Sequence, residues 1–198
     1  MEQENIHPTF ERILQRSDKE AFLGQRAAVF WFTGLSGSGK TSIAVGLEKE
    51  LNKKSILTQV LDGDNIRSGI NRNLGFSEED RMENIRRIAE VSKLFLECGV
   101  VTINCFVSPT GAMRKMAKDI IGAENFYEVF VNTPIEECEK RDVKGLYKKA
   151  RKGEITNFTG IHEVYENPEN PSLEIKTVGQ SLEESVQLAL KFALTIVK

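Results

Sequence analysis

Apolar positions along this chain follow two periods. Ala28-Val29-Phe30-Trp31-Phe32 and Val100-Val101-Thr102-Ile103-Asn104-Cys105-Phe106-Val107 are short, almost continuously apolar runs, the pattern of parallel strands covered on both faces. Leu57–Leu61, Phe126–Val131 and Leu173–Ile175 read as three further short strands. Between them the period lengthens to that of a helix, through Ile43, Ala44, Leu47 and Leu51, through Met82, Ile85, Ile88, Ala89, Ser92, Phe95 and Leu96, and through Leu182, Val186, Ala189, Leu190 and Ala193. Ser77 with Asp80 and Ser181 with Glu184 are capping boxes that start two of these helices, and Gly99 stops the first of the two. Thr133-Pro134 with Glu136 reads as N-cap, first helical position and third helical position. Strands alternating with helices predict an α/β domain of three layers, with a mainly parallel central sheet and right-handed crossovers.

Two stretches escape these periods. Residues 1–27 are charged, with a weak helical pattern through Phe10, Ile13, Leu14 and Phe22, and read as an appended arm before the domain proper at 28–198. Residues 142–172 are first basic (Lys144, Lys148, Lys149, Arg151, Lys152) and then rich in Gly and Pro, which fits a mobile lid as well as a solvated charged face.

Composition narrows the class. With 198 residues, 40% hydrophobic, the chain suits one well-buried core. A formal net charge of −2 leaves no global basic field, so nucleic acid is disfavoured and any anion site must be local. No run is apolar enough to span a bilayer, and Met1-Glu2-Gln3-Glu4-Asn5 has no basic segment leading into an apolar one, so no membrane partner and a cytoplasmic location are expected. Three cysteines, an odd number without C-x-x-C spacing, suit a reducing compartment.

Gly34-Leu35-Ser36-Gly37-Ser38-Gly39-Lys40-Thr41 follows the first strand and opens a helix, matching G-x-x-x-x-G-K-[ST]. Glycines at this spacing let backbone N–H groups turn inward around phosphates, while the helix adds the positive end of its dipole. Lys40 then neutralises the β and γ phosphates, and the Thr41 hydroxyl holds Mg²⁺. The fold expectation sharpens to a P-loop NTPase. No N-K-x-D guanine signature exists, since Asn52-Lys53-Lys54-Ser55 fails at its fourth position, and Asp119-Ile120-Ile121-Gly122 reads as a helix end; ATP is favoured. Asp62-Gly63-Asp64 lies at the carboxyl end of the second strand, where ligands bind in open α/β sheets. Asp64 is the candidate to orient or deprotonate an acceptor hydroxyl, with Asp62 behind it.

Beyond that pair the chain reads Asp62-Gly63-Asp64-Asn65-Ile66-Arg67, Leu74-Gly75-Phe76-Ser77 and Asp80-Arg81-Met82-Glu83-Asn84-Ile85-Arg86-Arg87, then Lys144-Gly145-Leu146-Tyr147-Lys148-Lys149-Ala150-Arg151 and Asn157-Phe158-Thr159-Gly160-Ile161. Over residues 28–195 this closely resembles the adenosine 5′-phosphosulfate kinase family. The resemblance implies transfer of the γ-phosphoryl of ATP to the 3′-hydroxyl of adenosine 5′-phosphosulfate, with Mg²⁺, in a homodimer. It implies that Arg67, Arg81 and Asn84 hold the phosphosulfate and ribose, that Phe76 and Phe158 sandwich the adenine, and that Asp62, Val107 and Lys144 line the acceptor side. Arg141 is implied against the ATP base, Asp64 beside Thr41 at the metal, and Ser108 as a phosphorylated site. Chemistry favours direct in-line transfer, in which a hydroxyl at Ser108 hydrogen-bonds substrate and forms no covalent intermediate.

Ser68, Thr110, Gly111, Val143 and His162 depart from the commonest family pattern, and the loss of an Arg at 111 removes one anion contact. Two other readings stay open on sequence alone: a kinase of the same fold for another nucleotide 3′-hydroxyl, and a silent nucleotide-binding partner of a sulfurylase.

Overall fold

In the computed structural model, which describes residues 7–198, the five apolar runs form strands β1 (Val29–Thr33), β2 (Thr58–Asp62), β3 (Val101–Cys105), β4 (Phe126–Asn132) and β5 (Leu173–Lys176). They pair in the order β2-β3-β1-β4-β5, every pair parallel. The helices among these residues are α1 (Arg16–Leu23), α2 (Lys40–Asn52), α3 (Gly63–Ser68), α4 (Glu78–Glu97), α5 (Gly111–Ile121), α6 (Ile135–Arg141), α7 (Leu146–Arg151) and α8 (Leu182–Val197). Alternation along β1 divides the core. Phe30 and Phe32 face α2 and α8 with Ile43, Leu47, Leu51, Ala189 and Ala193, while Val29 and Trp31 face α4 and α5 with Ile85, Ile88, Met113 and Ala117. Both faces are covered, which is why the strand reads as an unbroken apolar run. The architecture is the expected three-layer P-loop fold with an all-parallel sheet.

Register decides where chemistry can sit. Asp62 lies opposite Cys105, Cys105 opposite Phe32, and Thr33 opposite Phe130, so the carboxyl ends of four strands finish at one edge. Both α4 and α8 start at the expected serines: Ser181 and Glu184 close a reciprocal box, while Ser77 accepts from the Asp80 N–H without a return bond from the Asp80 side chain. Asp119–Gly122 is a helix end, as read: α5 stops at Ile121 and Gly122 has φ +98°.

One expectation needs correction, and two stretches left open by the sequence are now defined. Thr133 is no N-cap: α6 starts at Ile135 after Pro134 without a side-chain cap, because the Thr133 hydroxyl donates to Ser38 O at 2.9 Å and meets Thr177 Oγ1 at 2.6 Å. The aperiodic stretch 142–172 contains α7, whose six residues, under two turns, are too few for periodicity to register, and Tyr147 and Ala150 are buried on it. The helical pattern of the arm does not mark a buried face, since Phe10, Ile13, Leu14 and Phe22 are all exposed, Phe22 at 89%. The described part of the arm docks through polar groups: Arg16 donates to Asn125 Oδ1, Lys19 to Glu97 O, and Gln25 to Leu57 O and Gly99 O. Residues 1–6 of the arm lie outside the described residues. No helix among the described residues is long and apolar enough to cross a membrane.

Candidate active site

The loop after β1 is held open by backbone that excludes side chains. A Cβ at Gly34 would stand 2.6 Å from Val131 O, and one at Gly37, with φ +75°, 3.0 Å from Cys138 O. Gly39 precedes α2 without a side-chain cap, so the first N–H groups of that helix have no side-chain acceptor from it and are available to an anion. The carbonyls of the loop are braced from outside by three side chains of the later chain. Tyr147 Oη donates to Ser36 O at 2.9 Å, Thr133 to Ser38 O, and Arg141 Nη1 to Ser38 O at 3.3 Å. Holding the carbonyls outward turns the N–H groups in. Lys40 Nζ donates to Gly34 O at 2.9 Å and Leu35 O at 2.7 Å, and its burial lowers the ammonium pKa to about 8.

Asp62 sits at the junction of the next strand and helix. Its Oδ1 accepts from the Asp64 N–H at 3.0 Å, capping α3, and its Oδ2 accepts from Thr41 Oγ1 at 2.8 Å. Asp64 stands on the first turn of α3, exposed and ion-paired with Lys144 across the cleft. Arg67, one turn further, donates through Nη1 to Leu74 O and Gly75 O and lies with its guanidinium carbon 4.3 Å from the centre of the Phe76 ring. Arg81 donates to Phe76 O at 3.0 Å, to Thr159 Oγ1 at 2.8 Å and to Asn157 O, tying two loops together. Burial lowers the pKa of both guanidinium groups, and Arg81 adds a like charge against Arg67. Asn84 is buried, its side-chain carbonyl accepting from Asn71 at 2.9 Å. Phe158 meets Tyr147 edge to face at 5.0 Å, while Phe76 is 64% exposed.

Beyond β3 the chain turns sharply at Ser108, a non-glycine residue with φ +38°. The Ser108 hydroxyl is enclosed: it accepts from Trp31 Nε1 at 3.1 Å and donates to Thr33 Oγ1 at 3.1 Å. Arg114, buried, donates to Ser108 O at 2.9 Å and pairs with Glu128 at 2.8 Å. A cleft of about 780 Å³ joins all of these elements, running from the loop past Asp64 to Arg81 and Phe158.

The chain matches the family model for adenylylsulphate kinase over residues 26–176. The chain belongs to the adenylylsulphate kinase family. It is 63% identical over 195 residues to an adenylyl-sulfate kinase of Bacteroides thetaiotaomicron, covering 98% of this chain and 97% of that relative, and 61% identical over 197 residues to one of Phocaeicola vulgatus, covering 100% and 97%. Among solved structures it is similar to the Mycobacterium tuberculosis APS kinase CysC in complex with AMPPNP and APS, with a TM-score of 0.82, 45% identity, and coverage of 85% of this chain and 98% of that one. The chain is an enzyme of this kinase family.

In this member of the family the cleft gathers Ser36 to Thr41, Asp62, Asp64, Arg67, Phe76, Arg81, Asn84, Val107, Ser108, Arg141, Lys144 and Phe158, nearly every residue singled out from the sequence. Gly34 and Leu35 stand apart. Gly34 packs against Val131, and Leu35 lines a shallower cleft of about 420 Å³ with Pro134, Ile135 and Gly160. Thr133, Tyr147, Thr177 and Tyr165 hydrogen-bond to the phosphate-binding loop, to its root or to one another, contacts not read from the sequence. Tyr147 lies inside a quoted motif and signalled itself there; the other three are polar residues at strand ends or in loops, with no periodic signal.

Proposed function

We propose that this enzyme transfers the γ-phosphoryl of ATP directly to the 3′-hydroxyl of adenosine 5′-phosphosulfate. The observation that carries the reading is one continuous cleft with a phosphate-binding loop at one end, a pair of arginines and two phenylalanines at the other, and Asp64 between them. Loop N–H groups bind the ATP phosphates, Lys40 leaves its carbonyl partners for the β and γ oxygens, and Arg141 packs against the base. Arg67 and Arg81 hold the phosphosulfate, Asn84 and Lys144 the ribose side, and Phe76 and Phe158 the adenine. Asp64, released from Lys144 as the acceptor enters, accepts the 3′-hydroxyl proton and aims the oxygen at the γ-phosphorus.

Thr41 and Asp62, with Asp64 nearby, are hard oxygen donors, and the 2.8 Å Thr41–Asp62 contact shows two of them converging, which fits Mg²⁺ held by few protein ligands plus phosphates. When bound, Mg²⁺ neutralises charge on the β and γ oxygens. The enclosed hydroxyl of Ser108 supports a role in shaping the turn, not in carrying phosphate: a phosphoserine there would place a dianion beside Trp31. Free Cys98, Cys105 and Cys138 support a cytoplasmic setting, and the exposed apolar residues of the arm support a homodimer. The basic start of the 142–172 segment, whose Lys144 reaches Asp64 across the cleft, supports its reading as the lid.

The test is ATP consumption in the presence of adenosine 5′-phosphosulfate or other adenosine nucleotides with a free 3′-hydroxyl. Turnover confined to the phosphosulfate is expected. Equal or better turnover of another nucleotide would move the reaction to that acceptor, and none with any would leave a binding module.

A further inference from the structure

We propose that Tyr165 is a positioning residue for the acceptor, anchoring the loop that carries Phe158 and Thr159 to the strand that feeds the phosphate-binding loop. The inference rests on the acceptor assignment above. Residues 158–163 form a closed unit of their own. Phe158 O accepts from Ile161 and His162 N–H, Gly160 N–H donates to Glu163 O at 2.7 Å, and His162 Nδ1 accepts from the Phe158 N–H at 3.2 Å. Such a unit keeps its shape but needs anchors to keep its place. Arg81 is one anchor, through Asn157 and Thr159.

Phe158 also packs on Tyr147, and a further anchor is the Tyr165-Glu166 pair. Tyr165 Oη lies 2.8 Å from Thr33 Oγ1, its ring stacks on Phe130 at 6.0 Å, and the Arg114 guanidinium lies over its ring at 5.8 Å. Glu166 donates its N–H to Pro109 O at 2.8 Å and accepts from the Gly111 N–H at 2.6 Å. Counting protons fixes the direction of the buried chain. Trp31 N–H gives to Ser108, Ser108 to Thr33, and the single Thr33 proton goes to Val107 O at 2.7 Å. Thr33 therefore has no proton left for Tyr165, and Tyr165 is the donor. Burial keeps it a phenol, its pKa pushed up to about 12. Thr33 is the residue before Gly34, so one hydroxyl ties the acceptor loop to the root of the donor loop, while the donor loop keeps its separate braces from Tyr147, Thr133 and Arg141.

Tyr165→Phe removes the hydroxyl and keeps the ring. One net hydrogen bond corresponds to roughly a two- to tenfold effect. The expected result is a rise of about that size in KM for adenosine 5′-phosphosulfate, with KM for ATP within about twofold of wild type and kcat little changed; Glu166→Ala is expected to act in the same direction. Hydrogen exchange gives a second readout that needs no substrate: amides of 158–163 should exchange faster in Tyr165→Phe while those of 36–41 hold. An unchanged acceptor KM in folded Tyr165→Phe, a parallel rise in both KM values, or unchanged exchange at 158–163 would each overturn the proposal. Wild-type enzyme inactive on the phosphosulfate would instead overturn the acceptor assignment, and the exchange measurement would still decide the anchoring.

Discussion

The two ends of the cleft are built differently. The donor end grows from the middle of the sheet: β1 is buried along its whole length, its loop is eight consecutive residues, and the carbonyls of that loop are held by Tyr147, Thr133 and Arg141. The acceptor end is assembled from α3, the first turns of α4 and the loop around Phe158, and its arginines spend much of their donor capacity on backbone carbonyls that hold those segments together. Phosphate binding can be pre-formed because the triphosphate needs a ring of N–H groups that backbone alone supplies. Recognising a second nucleotide takes side chains from distant segments: Arg67 on α3, Arg81 and Asn84 on α4, and Phe76, Lys144 and Phe158 on loops.

The contrast can be broken at Asp64, which lies between the ends. Asp64→Asn is expected to lower kcat by about 10²- to 10⁴-fold while ATP binding, measured by calorimetry, stays near wild type; a mild loss of turnover would take Asp64 out of the chemistry. Arg81→Ala should raise KM for adenosine 5′-phosphosulfate about 10- to 100-fold, since it removes both an anion contact and the tie to Thr159, with the ATP constants nearly constant. If ATP binding fell equally in steady-state kinetics, the two ends would not be separable.

A pH titration sharpens the same point with a smaller effect. Lys40 titrates near 8 because burial disfavours its charged form, so its charge is present below that pH and lost as pH rises through it. kcat/KM for ATP should therefore fall about tenfold per unit well above pH 8, whereas the acceptor-side arginines stay charged. A profile flat from pH 7 to 9.5 would contradict this. The smallest effect belongs to Ser108→Ala, which breaks the Trp31–Ser108–Thr33 chain: turnover should stay within about tenfold of wild type, and abolished activity with phosphoserine trapped in the wild type, seen by mass spectrometry, would reverse the mechanism.

Legibility follows the same division. The strands and long helices could be read because burial on both faces of β1 and β3, and on one face of α2, α4 and α8, leaves a periodic trace. The Asp62–Asp64 pair was readable from its place at a strand end. Thr133 misled because a hydroxyl before Pro looks like a cap wherever it lies, and only its distance to Ser38 shows its use. α7 is a single short helix whose place is set by Tyr147 reaching Ser36, a contact 111 residues away in sequence. The apolar residues of the arm had the spacing of a buried face and are exposed; spacing states which residues share a side, not what covers it.

From the sequence alone came the α/β class, the phosphate-binding loop and the family, because each rests on local pattern: period, glycine spacing and contiguous motifs. The tertiary structure decided that Asp62 rather than Asp64 meets Thr41, that Lys144 reaches Asp64, that the Ser108 hydroxyl is enclosed, and that Tyr165 joins one loop to the root of another. Those are hydrogen bonds and ion pairs between residues far apart in the chain. Their partners are chosen by strand order and register, which no local pattern encodes.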